Sequence, residues 1–248
     1  LSVLWPSSYS QLHQPILYFP LSHGSSQNQG QDHANLALHI EDSINVKESG
    51  VTVAPSDKSY IRMNPNNLNF TNLDWTLHFT FRSKFLYANF RRIGLNNVFW
   101  MGDEKNPSES FFSIGILNPG RLLLLSLTSR FQLIIDSHKL DRATTITIQF
   151  QKERKNISVY VDGFIKAQIP MLFEFYDNQM IYWSKGLTPS TGFYGTIGDI
   201  GFWNGLANPA KISDFKSYLS EELKWANSLK VGTRILAAFV LSYGLFLM

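Results

Sequence analysis

The chain has 248 residues, 44% of them hydrophobic and 17% charged, with a formal net charge of +3 and no cysteine. That length allows one large all-β domain or two small ones, each able to bury a core, and the composition is globular rather than disordered. The small charge excludes the dense basic field of a non-specific nucleic-acid binder, and the missing thiols exclude disulfides, thiolate catalysis and cysteine-based metal centres.

Residues 1–14, LSVLWPSSYSQLHQ, are punctuated by Ser and Pro without periodicity and are expected to form an extended arm. The start at Leu1, without a charged-then-apolar leader, is expected of a processed end or a fragment and leaves the compartment open. From Pro15 short apolar runs alternate with turn chemistry. The expected strands are 16–19, 60–63, 75–82, 97–101, 111–117, 121–127, 131–136, 144–151, 157–161, 164–169 and 195–203. In WTLHFTFR, Trp75, Leu77, Phe79 and Phe81 share one face, while Thr76, His78, Thr80 and Arg82 share the other, which predicts a half-buried strand. Many short strands and no helical period before about residue 208 predict an all-β fold, two antiparallel sheets packed as a sandwich or jelly roll over 15–207.

In ISVYVDGF, Asp162-Gly163 suits a two-residue hairpin turn with positive φ at both positions. That turn by itself would set Val159 opposite Lys166 and Ile157 opposite Gln168, so a bulge or a longer loop stays open.

After Asn208 and Pro209 the apolar positions Ile212, Phe215, Leu219, Leu223, Ala226 and Leu229 step by three or four, predicting an amphipathic connector helix over 208–230. Residues 231–248 follow, uncharged from Ile235 onward. As a helix they would rise about 27 Å, close to the roughly 30 Å of a bilayer's hydrocarbon core. A C-terminal apolar helix spanning or inserted in a membrane is therefore expected. Trp225, Lys230 and Arg234 would be its interfacial anchors, and Ile235, Phe239, Leu241, Leu245 and Phe246 its lipid-facing body. Two alternatives stay open: a cleaved lipid-anchor signal with a small-residue site at Ala226, Asn227 and Ser228, or burial of the helix against a partner subunit.

In chain order, QPILYFPLSHGSS, SYIRM with LDWTLHFTFRS, ISVYVDGF, and FYGTIGDIGFWNGLANPAKI resemble the successive strand motifs of laminin-G-like and concanavalin-A-like jelly rolls, including the pentraxin type. The resemblance covers about residues 15–212. It implies two curved antiparallel sheets with neighbouring chain ends, and a fold that serves lectins, adhesion modules, glycan hydrolases and structural domains alike. Calcium- or sugar-binding members carry acidic and amide groups on an edge loop. Here SSQNQGQDHANLALHIED offers Asp32, Glu41 and Asp42 without that acidic signature, so no cofactor is expected and calcium is left open.

No strand carries the alternating Glu-x-Asp-x-x-Glu carboxylates of related glucanases. The pairs Asp103 with Glu104 and Glu174 with Asp177 read as solvated loop charge, so no catalytic residue and no enzyme is expected. His13, His23, His33, His39, His78 and His138 form no metal motif and are expected at the surface or in loops. KFLYANFRR interleaves aromatics and cations as single-strand nucleic-acid platforms do, but reads better as an edge whose arginines cover apolar residues. In MLFEFYDNQMIYW, Phe173, Phe175, Tyr176, Tyr182 and Trp183 form either a binding surface or core. Asn69 and Asn156 head glycosylation sequons, relevant if the chain enters the secretory pathway.

The expected protein is a non-enzymatic, membrane-tethered binding or structural module. Its partners are a membrane and protein subunits, with a glycan as a further candidate and no nucleic acid. The alternatives are an accessory subunit of a membrane complex, or a surface lectin. Its place is a membrane, either at the cell surface through the secretory pathway or at the mitochondrial inner membrane.

Overall fold

A computed structural model describes residues 15–21, 24, 26–28, 30, 39–40, 46–47, 50–54, 59–64, 73–83, 96–102, 112–118, 121–126, 131–135, 142–170, 180–185 and 193–212. Within them lie fifteen strands: β1 (Leu17–Phe19), β2 (His39–Ile40), β3 (Val46–Lys47), β4 (Gly50–Val53), β5 (Ile61–Met63), β6 (Trp75–Ser83), β7 (Asn96–Gly102), β8 (Phe112–Asn118), β9 (Arg121–Ser126), β10 (Phe131–Ile135), β11 (Thr144–Gln151), β12 (Asn156–Val161), β13 (Phe164–Pro170), β14 (Met180–Trp183) and β15 (Gly195–Asn204). An eight-stranded sheet runs β13-β12-β11-β6-β15-β4-β3 with β1 also on β15, and a seven-stranded sheet runs β10-β9-β8-β7-β14-β5-β2. All pairings are antiparallel.

The two sheets form a sandwich because each presents one apolar face. Leu77, Phe79, Phe81, Ile146, Ile148, Val159 and Ile197 come from one sheet, and Ile61, Phe99, Met101, Ile114, Leu124, Ile181 and Trp183 from the other. Phe79 stacks on Phe99 at 5.3 Å between centroids and meets Trp183 edge-on at 6.2 Å, locking sheet to sheet.

β15 pairs with β6 on either side of a bulge at Gly198 and Asp199. Gly195 to Ile197 meets β4, and Ile200 to Phe202 meets β1, so the first and last strands of the sandwich are neighbours, as the family resemblance implied. Turn chemistry fixes the β11-β12-β13 meander. Lys155, at φ 45°, closes the first turn with its N–H on Lys152 C=O, and Asp162 and Gly163 close the second at φ 50° and 82°.

The register of that second hairpin depends on a bulge. Val161 faces Phe164 and Tyr160 faces Ile165, but one extra residue then sets Val159 opposite Ala167 and Ile157 opposite Ile169. Without it Lys166 and Gln168 would face the core; with it they are exposed while Ala167 and Ile169 are buried.

Three expectations are corrected or extended here. β6 is not half-buried: Thr76, His78 and Thr80 are enclosed as fully as its core face, and within the strand Arg82 alone is exposed. His78 is accordingly a buried strand residue and not a surface one. Strands β2, β3, β4 and β14 were not anticipated; each has four residues or fewer, too short for a period to register.

The chain divides into two compact units, Leu1–Pro209 and Ala210–Met248. Residues 209–212 are helical, in keeping with a helix opening at Pro209. The rest of the expected connector and the apolar segment, with Trp225, Lys230, Arg234, Ile235, Phe239, Leu241, Leu245 and Phe246, lie outside the described residues. Among the described residues no helix is long and apolar enough to cross a membrane.

Candidate binding surface

The aromatic run ending at Trp183 enters the sandwich as β14, and strand alternation divides it. Ile181 and Trp183 join the core, whereas Tyr182 points to the opposite face of the seven-stranded sheet. Of the five aromatics singled out there, Trp183 is core and Tyr182 lies on a second surface, while Phe173, Phe175 and Tyr176 lie outside the described residues.

On that second surface Tyr182 is the middle of a cross-strand row. His39 pairs with Arg62, Arg62 with Tyr182, Tyr182 with Trp100, and Trp100 with Ser113, so β2, β5, β14, β7 and β8 each contribute one side chain to the same face. Tyr182 and Trp100 stack at 4.5 Å, and Tyr60 meets Tyr182 edge-on at 5.8 Å. The aromatics are a buried floor. Met180 packs on them; Arg62 is half-buried and His39 is exposed, so part of the rim is polar and accessible.

A cation closes the arrangement. Ser184, just past β14, adopts φ 71°, a left-handed conformation that costs a non-glycine residue roughly 1–2 kcal/mol. Three bonds hold it there: its N–H donates to Val98 C=O at 2.9 Å, its hydroxyl to Phe193 C=O at 3.1 Å, and Phe193 N–H returns to Ser184 C=O at 3.3 Å. The turned chain then sets the Lys185 ammonium 4.4 Å above the Tyr182 ring and 4.8 Å above the Tyr60 ring, well inside cation–π range. Strained backbone of this kind collects at binding sites, where the surrounding structure holds it.

Two polar groups beside this row have no partner. Trp100 Nε1 and both amide atoms of Asn97 are enclosed without a hydrogen bond, although an unsatisfied buried donor costs about 1–3 kcal/mol. Asn97 lies opposite Gly115, on the same face as Trp100. Chemically the surface sets half-buried Arg62 and Lys185 and exposed His39 over enclosed aromatics, which suits a ligand carrying negative charge.

The outer face of the eight-stranded sheet is built differently. Trp203 folds back so closely over Gly201 that a Cβ there would lie 2.5 Å from the indole, and it meets His78 edge-on. His78 Nδ1 lies 2.9 Å from the Thr147 hydroxyl. Past β15 the chain crosses this face: the Thr76 hydroxyl donates to Gly205 C=O and accepts from Ala207 N–H, each at 2.9 Å, and Gln149 Nε2 donates to Ala207 C=O. The β15 bulge turns Asp199 inward, where it accepts from the Tyr18 hydroxyl at 3.2 Å. Burial, then the charge of Asp199 and this bond, push the Tyr18 hydroxyl well above the usual tyrosine range. This network reads as architecture.

Asn156 opens β12 opposite Gln151 and Pro170, half-buried with its Oδ1 enclosed; Asn69 lies outside the described residues. The same holds for Asp32, Glu41, Asp42, Asp103, Glu104, Glu174, Asp177 and the run 84–92. Among the described residues no three His or acidic side chains are grouped as metal ligands. Sequence reasoning missed Tyr60, Arg62, Trp100 and Lys185. Their row joins strands far apart in the chain and left no local signal; strand alternation within MIYW would have separated Tyr182 from Trp183, which the sequence reading kept together.

No protein-family model matches the chain, and no curated protein does. Solved structures do share its fold. The chain is similar to the binding domain of Paraclostridial Mosquitocidal Protein 1, with 14% identity, a TM-score of 0.62, and 83% of this chain matched to 52% of that one. A botulinum neurotoxin serotype D ligand-binding domain, in complex with N-acetylneuraminic acid, gives 14% identity and a TM-score of 0.62 over 85% of this chain and 52% of its own. The binding domain of botulinum neurotoxin DC in complex with SialylT gives 14% and 0.58 over 83% and 51%. The chain thus spans about half the length of the structures it resembles, and at these identities the likeness is one of fold.

Proposed function

We propose that the protein is a non-enzymatic binding module on a laminin-G-like jelly roll, recognising an acidic glycan on the outer row of its seven-stranded sheet. The observation that carries this reading is the convergence of Arg62, His39 and Lys185 on the floor of Tyr60, Trp100 and Tyr182. A sialylated sugar offers a carboxylate for the accessible cationic rim. Support also comes from the neurotoxin binding domains that share the fold over about half their length and were solved in complex with N-acetylneuraminic acid or SialylT. Recognition by side chains of this kind calls for no cofactor and no calcium. Residues 231–248 would hold the module at a membrane, on the support of their uncharged length.

The test is a glycan array probed with the full chain, with calcium and with chelator. The expected result is retention on sialylated glycans and not on their asialo counterparts, equal in both buffers. Retention on neutral glycans alone, or only with calcium, would overturn it.

A further inference from the structure

The tip of the β12-β13 hairpin is the most exposed apolar feature among the described residues, with Phe164 71% and Ile165 50% exposed. Single exposed hydrophobics are ordinary. Here two adjoin on a backbone that is fixed: Asp162 Oδ1 accepts from Thr145 N–H at 2.8 Å and lies 3.3 Å from its hydroxyl, and Asp162 N–H donates to Thr145 C=O at 2.9 Å. The positive φ of Gly163 completes a tight turn, so the two side chains are carried on a stiff protrusion.

The geometry selects the partner. Phe164 faces Val161 and lies on the core side of the sheet, whereas Ile165 faces Tyr160 on the other side. A protein surface laid against one face would leave the other side chain in water; a fluid apolar layer entered end-on covers both. Edge pairing with a second copy is obstructed by the bulge that carries exposed Lys166 and by Pro170 at the end of β13. Charge points the same way. Exposed Arg142 lies two residues before Thr144, and exposed Arg82 follows Phe81, the partner of Thr144, so with Lys166 three cations sit at the tip's end of the sheet. Three strand spacings, about 14 Å, separate β13 from β6. Among the described residues Asp162 is the one acid there, and its carboxylate is engaged by Thr145.

We propose that this tip enters the interface of an anionic bilayer, with Phe164 and Ile165 at the boundary of headgroups and acyl chains and with Arg82, Arg142 and Lys166 against the anionic headgroups. This site is on the other sheet from the glycan surface.

Because the chain has no cysteine, an Ile165→Cys variant of the full chain takes a single environment-sensitive fluorophore. Vesicles of phosphatidylcholine mixed with phosphatidylserine should shift its emission to the blue, and phosphatidylcholine alone should not. The same label at Glu153→Cys, on the exposed turn at the far end of β12, should stay unmoved. Phe164→Ser should weaken binding of the label-bearing tip to the mixed vesicles about tenfold. Co-sedimentation without a shift at 165 would mean that another segment inserts, and would overturn the proposal. Equal shifts at 165 and 153, or a shift indifferent to phosphatidylserine, would do the same.

Discussion

The centres of the two outer faces of this sandwich are both enclosed and both polar in part, yet they treat their polar atoms in opposite ways. On the eight-stranded sheet Thr76, His78, Thr147, Gln149 and Asp199 are tied to one another's neighbours and to the chain crossing at 205–207. The enclosed Gln151 and Asn156 oxygens without partners face each other at its turn end. On the seven-stranded sheet the centre of the face carries the orphans, Trp100 Nε1 and the Asn97 amide, beside a strained Ser184 and a cation held over two rings. A satisfied network stabilises the fold, whereas unsatisfied enclosed groups weaken it.

Substitutions should therefore differ in sign between the faces. Trp203→Ala uncovers β6 and should destabilise by about 3–5 kcal/mol in urea denaturation, while leaving the glycan selectivity of the remaining folded fraction unchanged. Thr76→Val removes a donor and an acceptor at once and should cost roughly 1–3 kcal/mol by the same measurement. The Tyr18 pair adds a pH dependence. Its hydroxyl titrates higher in the folded chain than in the unfolded one, so its stabilisation is complete below about pH 10 and is lost as pH rises above it, by up to about 1.4 kcal/mol per pH unit. Tyr18→Phe should flatten that alkaline slope in denaturation curves taken on either side of pH 10. On the other face Asn97→Leu replaces two orphaned atoms with carbon and should be neutral or stabilising, by about 1 kcal/mol at most. A large loss there would show that Asn97 is structural and would erase the contrast.

Much of the sandwich could be read from residues. β6, β11 and β12 alternate β-branched and aromatic side chains over six to nine positions, and Asp162-Gly163 states its own turn. The bulge at Lys166 was legible as a conflict, since the simplest register would have turned a lysine and a glutamine inward. Local pattern did not carry contacts made across the fold. The burial of His78 depends on Trp203, more than a hundred residues later. The row from His39 to Ser113 depends on strand order in a sheet whose neighbours β7, β14 and β5 are not consecutive. The place of Lys185 depends on one left-handed serine.

The central claim, that this row binds a negatively charged sugar, is tested most directly by titration calorimetry of the full chain with a sialylated trisaccharide, comparing the parent with Arg62→Ala. Loss of one charge-assisted hydrogen bond should weaken binding about 10- to 100-fold with the thermal midpoint little changed. Equal affinities for the two proteins, or equal affinity of the parent for the asialo sugar, would contradict the account.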